Sequence, residues 1–403
     1  MADNEAKIET ASKKLLVTPP PHLADRESVS TIMWTVTATL LPAGAVGVYF
    51  FGWRALGVIA VCASSAIIAE FLGERFVLRK KEITVTDGSA LLTGVLLAFC
   101  LPPSIPFWKA GVGAALAVFI AKTVFGGLGF NIFNPALVGR AVLVAAFPAV
   151  TVGSMLIVSQ DRFETLPEKK QEENKYVWVL PEQGRYVTET QRRDVLDRTP
   201  DAVTGATPLT SLKETVRAEA RAMKEAKEKG QKPKRRPLGK IKPEAPDLKG
   251  LFFGNVGGCI GETSALALLV GGLWLLWRRI ITWHIPLVYI GTVFALSLAV
   301  YAPRAIEAGG SQGWTFLFHM GLFQILSGGL FLGAWFMATD MVTSPLTGKG
   351  KMIFAAGAGI LVVLIRNLGG YPEGVCYSIL LMNIAVPLID RFTLPKKFGR
   401  KKV

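Results

Sequence analysis

Thr204-Gly205-Ala206-Thr207-Pro208-Leu209 places two hydroxyls three positions apart, ahead of a proline that can open a helix. A threonine hydroxyl in such a setting can cap that helix, or it can carry a phosphoester. Pro208 to about Lys229 is rich in Ala, Glu, Lys and Arg and predicts a helix, which makes Thr207 its N-cap. Ser211 and Glu214 form a competing capping box a few residues on. A helix N-terminus also attracts phosphate through its free N–H groups and its dipole, so capping and esterification of Thr207 are compatible. The peptide lies in the one long hydrophilic stretch of a chain otherwise made of apolar runs. No other segment offers a comparable handle.

A second constellation is Gly126-Gly127-Leu128-Gly129-Phe130-Asn131-Ile132-Phe133-Asn134-Pro135-Ala136. Clustered glycines and an Asn-Pro pair interrupt a helix and free backbone amides and carbonyls. Within a membrane such groups are tolerated where they are buried in protein or line a cavity. Gly126, Gly127, Asn131, Asn134 and Pro135 are therefore candidates for a central site, and Gly369-Gly370-Tyr371-Pro372 is broken in the same way. Glu70, Asp87, Glu262, Asp340 and Asp390 are carboxylates in or near apolar runs. Such groups belong to ion or proton paths or sit at the interface, and both readings stand. Asp340 and Glu262 are favoured for an ion path because small hydroxyl residues flank them. Cys62, Cys100, Cys259 and Cys376 are far apart, with no Cys-x-x-Cys or Cys/His spacing, so no iron–sulfur or zinc site made by this chain alone is expected; a ligand shared with another subunit stays open, and small buried residues are the favoured reading. His284 and His319 are isolated and read as packing or interfacial residues.

The elements that must position these groups are membrane helices. The chain has 403 residues, 51% of them hydrophobic, with 41 glycines and nine tryptophans, the profile of a polytopic helical membrane protein. Its net charge of +15 does not form a nucleic-acid-binding face. The basic residues fall between apolar runs, as Arg75, Arg79, Lys80 and Lys81, and after them, as Lys396 to Lys402, which suits loops facing anionic lipid. Ten candidate spans run Ile32–Phe51, Leu56–Phe71, Ala90–Leu101, Trp108–Val124 and Leu137–Val158, then Cys259–Trp277, Ile281–Tyr301, Trp314–Ala338, Met352–Ile365 and Val375–Ile389. The predicted organisation is a cytoplasmic segment 1–31, five helices over 32–158, a hydrophilic segment 159–250, five helices over 251–390 and a basic tail 391–403. The first thirty residues have no apolar core of a cleaved signal, so the first span is expected to direct insertion. Lysine and arginine concentrate on alternate short loops, which puts both termini in the cytoplasm and 159–250 on the opposite face. Glu168–Lys175 and Arg217–Arg236 are charge-dense, Lys232-Pro233-Lys234-Arg235-Arg236-Pro237 reads as solvated linker, and the helix from Pro208 is the one ordered element expected in this segment.

The two sets of five helices look related. Lys122 before Gly126-Gly127 matches Arg366 before Gly369-Gly370, and Thr93-Gly94 leading to Pro102-Pro103 matches Leu332-Gly333 leading to Ser344-Pro345. An odd number of spans per unit inverts the second copy. The expected fold is thus an all-α polytopic membrane protein of about ten helices in two inverted repeats.

With Pro21-His22-Leu23, Thr86–Gly94, Gly126–Ala141, Gly261-Glu262-Thr263-Ser264, Thr339–Gly348 and the hexapeptide in place, nearly the whole chain resembles a known family. Its members are the D subunit of the Rnf ion-translocating ferredoxin:NAD oxidoreductase complex and the B subunit of the sodium-pumping NADH:quinone reductase. The resemblance implies a urea-channel-like fold and covalent FMN, joined through its phosphate to Thr207 by a flavin transferase. Thr204, Gly205, Ala206 and Pro208 are the motif's neighbours, with Thr204 where serine is common. It further implies riboflavin as a possible second flavin, sodium or protons as the coupled ion, and partner subunits of a multi-subunit redox complex in the bacterial or archaeal inner membrane. The short N-terminal region favours the Rnf member over the quinone-reductase one. A passive channel or a scaffold that only anchors redox partners are the rival readings, and flavin fluorescence after denaturation separates them from the redox one.

Overall fold

The computed structural model describes residues 28–80, 84–147, 248–254, 256–369 and 373–394, together with five short strands, Leu209 and Leu212 in the polar segment. Helix α1 (Val29–Phe51) starts where the Ser28 hydroxyl accepts the Thr31 amide at 3.1 Å. It reverses into α2 (Trp53–Leu72) through Gly52 alone, whose φ of 72° suits a residue without a side chain. Next come α3 (Ser89–Phe99), α4 (Phe107–Val118) and α5 (Pro135–Ala146). The second half holds α6 (Leu248–Phe253), α7 (Ala265–Trp277), α8 (His284–Ala308), α9 (Gly310–Leu326), α10 (Leu330–Leu332), α11 (Gly348–Leu368) and α12 (Val375–Thr393).

Among the described residues, five helical stretches are long and apolar enough to cross a membrane, and α9 with α10 forms a sixth, bent by 61°. Helices α3, α5 and α7 are apolar but shorter. The chain is therefore a multi-pass membrane protein. The stretch Trp314–Ala338 is expected as one span, but it breaks at Ser327-Gly328-Gly329, where Gly328 takes a φ of 72°. The expected Leu137–Val158 span stops at Ala146, because Phe147 precedes Pro148 and leaves the helical region. Three helices continue as wider π turns, at Gly73–Val77, Phe119–Thr123 and Gly333–Met337. Such turns recur at functional sites.

Packing follows the membrane rule that small residues let helices approach. A Cβ at Gly94 would stand 2.6 Å from the Cys62 carbonyl oxygen, and one at Gly139 would stand 2.9 Å from that of Gly113. Helix α2 packs on α3 and α4, α8 on α9 and α11, and α5 reaches across to α12. Tyr289 and Ser378 share a 2.7 Å hydrogen bond in the second half's core. Large apolar side chains such as Trp53, Trp314 and Phe392 face outward, as lipid contact requires.

In the polar segment, β1 (Ser154–Met155) pairs antiparallel with β5 (Thr204–Gly205). Strands β2 (Glu168–Glu172), β3 (Lys175–Val179) and β4 (Tyr186–Thr188) form an antiparallel meander. Order in this segment therefore extends beyond the one helix expected there. Tyr176, Val177, Trp178 and Val179 favour an extended chain, and two residues connect β2 to β3 as a hairpin allows. Leu209 and Leu212 are helical, in line with a helix from Pro208, and most of the expected Pro208–Lys229 span lies outside the described residues.

Candidate functional site

Two polar clusters lie inside the helical body. The first borders a cavity whose wall includes Ser89, Lys122, Asn131, Asn134, Trp335 and Asp340. Lys122, carried into the interior by the π turn after α4, forms an ion pair with Glu70 of α2 and donates to the Ser89 hydroxyl at 2.5 Å. The Ser89 hydroxyl and amide both donate to the Asp87 carboxylate, at 2.5 and 2.7 Å. Glu70 and Lys122 are only 2% and 3% exposed, so each charge depends on the other for compensation.

The glycine-rich break supplies the rest of this wall. Gly126, Gly127 and Gly129 hold φ values of 113°, 108° and 93°, which a side chain would strain. The chain then enters α5 through Asn134, whose side-chain oxygen accepts the Ala136 amide at 3.0 Å while its nitrogen donates to the Met337 carbonyl at 3.1 Å. One side chain therefore caps α5 and ties it to the π turn of the second half. The Asp340 carboxylate accepts from the Thr343 hydroxyl at 3.0 Å and the Val342 amide at 3.4 Å. The hydroxyl-rich run around Asp340 is thus a turn that holds the carboxylate at the cavity. Asn131 Oδ1 and Trp335 Nε1 are buried without hydrogen-bond partners. Each leaves about 1–3 kcal/mol of desolvation uncompensated, a local cost in the packing around the cavity.

The second cluster joins the two halves. Arg140, from the middle of α5, pairs with Glu373 and approaches Glu262 at 3.5 Å. Glu373 also accepts the Gly329 amide at 2.6 Å. Arg366 donates to the Gln324 and Ser327 carbonyls at 2.5 and 3.1 Å and to the Gln324 side chain at 3.1 Å. The break between α9 and α10 is therefore tied from both sides, its carbonyls by a cation and its amide by an anion. Cys100, Cys259 and Cys376 lie close enough to interact electrostatically with Arg140. Among the described residues no group of three or more His, Cys, Asp or Glu side chains could hold a metal ion.

Of the sequence candidates, Asn131, Asn134, Pro135 and Asp340 line the cavity directly. Glu70 and Asp87 reach it through Lys122 and Ser89. Gly126 and Gly127 shape the loop without lining it, and Glu262 belongs to the second cluster. Asp390 caps a different turn, accepting the Leu346 amide at 3.1 Å. Thr204 and Gly205 form β5, whereas Ala206, Thr207, Pro208, Gly370, Tyr371 and Pro372 lie outside the described residues. Sequence reading misses Glu373 and the pairings of Lys122 and Arg140. A cation inside an apolar run signals a hidden partner, but the partners stand 52 and 233 residues away.

A family model described as NQR2, RnfD, RnfE matches residues 16–399. The chain is 42% identical, over 98% of its length and all of the relative's, to the D subunit of the proton-translocating ferredoxin:NAD(+) oxidoreductase complex of Clostridium ljungdahlii. It is 40% identical, over 96% of both chains, to the Na(+)-translocating counterpart of Acetobacterium woodii. To the D subunit of the ion-translocating oxidoreductase complex of Escherichia coli strain SMS-3-5 it is 35% identical, over 95% of this chain and 97% of the relative.

Proposed function

The chain belongs to the NQR2, RnfD, RnfE family, and from that premise we propose that it is the membrane-embedded flavin subunit of an ion-translocating ferredoxin:NAD oxidoreductase complex. It is one part of that oxidoreductase and translocase, not a complete enzyme alone. The observation that carries the reading is the near full-length match combined with a TGATPL hexapeptide in the polar segment between α5 and α6. On this reading a flavin transferase joins FMN to Thr207 from a dinucleotide flavin donor: the threonine oxygen bonds to the flavin-side phosphorus, the pyrophosphate bond breaks, and the nucleoside monophosphate and the hydroxyl proton leave. The isoalloxazine ring supplies the one- and two-electron chemistry, and the protein supplies position and electrostatic tuning. Riboflavin as a second flavin would need the wall of the cavity, about 110 Å³, to move apart, because a ligand of that size fills a pocket several times larger.

The ten-helix, two-repeat arrangement belongs to the same reading. Lys122 in the first half and Arg366 in the second each end a long helix, point inward and are held beside a glycine-rich break. A broken helix in each half is how inverted-repeat membrane proteins build a site at their centre, which supports the urea-channel-like fold. Both termini are placed in the cytoplasm, and the 159–250 segment on the outer face of the inner membrane. Ser211→Cys should then react with a membrane-impermeant maleimide in cells with a permeabilised outer barrier. Labelling seen only after the inner membrane is opened would reverse the orientation.

Relatives of nearly equal identity are named for protons in one case and sodium in another, so the coupled ion is what the test must read. The purified complex in proteoliposomes should reduce NAD with reduced ferredoxin and generate a membrane potential. Asp340→Asn keeps the volume of a carboxylate that borders the cavity. It should slow ion-coupled turnover or raise the sodium requirement, with covalent flavin unchanged. Wild-type turnover, sodium dependence and potential in that variant would assign Asp340 to structure alone.

A further inference from the structure

The hexapeptide ends in Leu209, and Leu209 is 5% exposed although it lies within the most polar stretch of the chain. Leu212 is 4% exposed, and the i, i+3 spacing puts both on one face of a helix. They close a small apolar cluster with Leu251 of α6, Tyr301 of α8 and Met320 and Phe323 of α9. Leu209 also reaches the broken span itself. A Cβ on Gly328 would stand 2.8 Å from Leu209 Cδ1, and the same point is 3.4 Å from Arg366 Nη2 and 3.5 Å from Glu373 Oε1. Leu209 therefore rests on the backbone turn that Arg366 and Glu373 tie from beneath.

The geometry points to Leu209 and Leu212 as the anchor that seats the flavin-bearing peptide on the α9–α10 break, making both leucines positioning residues for electron transfer. Two observations converge on this. Two peptide units separate Thr207 from Leu209, which keeps their Cα atoms within about 7 Å of each other. On the other side of the threonine, β5 fixes Thr204 and Gly205 to β1, the strand that follows α5. The residues flanking Thr207 are thus held at two points, Thr204 and Gly205 against β1 and Leu209 against the break in the second half. The tether limits how far an attached redox group can wander from the Arg140–Glu262–Glu373 cluster. Gly328 has a stated role in this arrangement: its missing side chain leaves the space that Leu209 fills. The anchor rests on the Thr207 reading for its purpose, but the docking itself does not.

The test uses the full-length chain, coproduced with a flavin transferase and reconstituted in lipid nanodiscs. Met320→Cys places a thiol in the cluster, and the parent chain with its four buried cysteines serves as the blank. Adding Leu209→Ser should raise the rate of labelling by a soluble maleimide about 30-fold, because the pocket opens when its apolar plug is lost. Leu212→Ser should act in the same direction, and Leu209→Met should restore slow labelling. In the chains that carry flavin, fluorescence anisotropy should fall in both serine variants and recover in Leu209→Met. Labelling that stays slow in Leu209→Ser overturns the docking. Accelerated labelling with unchanged anisotropy overturns the positioning role. A wild-type chain without covalent flavin, but with the labelling pattern intact, sinks the Thr207 reading and leaves the docking standing.

Discussion

Thr207→Ala should give a subunit that inserts normally and shows no flavin fluorescence on a denaturing gel. The expected effect is all or none, because the hydroxyl oxygen is the attachment atom and alanine offers no substitute. Loss of an N-cap alone would cost about 1 kcal/mol and would leave any covalent group in place. Thr204→Ala is the matched control, since it removes the neighbouring hydroxyl from β5 and should retain flavin. Fluorescence persisting in Thr207→Ala would mean that another residue is modified.

The second large effect is expected at the buried ion pair. Lys122→Met preserves length and packing but leaves the Glu70 carboxylate, 2% exposed, without its counter-charge. Removing one partner of such a pair costs about 3–5 kcal/mol, whereas replacing both with neutral groups is often close to neutral. Lys122→Met should therefore lower the unfolding temperature in detergent by about 5 °C. The double variant Glu70→Gln with Lys122→Met should regain most of that loss. A double variant no more stable than Lys122→Met would show that Glu70 does not depend on Lys122. The comparison needs no assay of turnover, so it separates the structural role of the pair from any part in ion movement.

The membrane character of this chain is readable because apolar runs are a one-dimensional signal. The breaks at Gly126–Gly129 and near Gly369 are equally readable, since glycine clusters and Asn-Pro interrupt a helix in any context. The kink at Ser327–Gly329 is not, because a glycine pair in an apolar run is also compatible with close packing of a straight helix. Charge pairing is hidden for another reason. Lys122 looks like a helix end, and Arg140 is a lone cation within an apolar run, because their partners are distant in sequence and meet them only after the helices pack. Glu373 draws no notice, having no hydroxyl neighbours and no repeat counterpart. Leu209 reads as the tail of a polar motif, and only burial against α9 reveals it as part of an apolar cluster.

Helix α3 also sets an electrical distance. It runs from Ser89, bonded to Lys122, toward Cys100 beside the Arg140 cluster, and its 11 residues measure about 16 Å at 1.5 Å each. A bilayer core is about 30 Å thick, so the apolar layer between the two charged clusters is about half that thickness. Both clusters are buried, so neither charge is insulated by water: each stands inside the apolar layer, and the short helix between them sets how much hydrocarbon a charge passing from one to the other would have to cross.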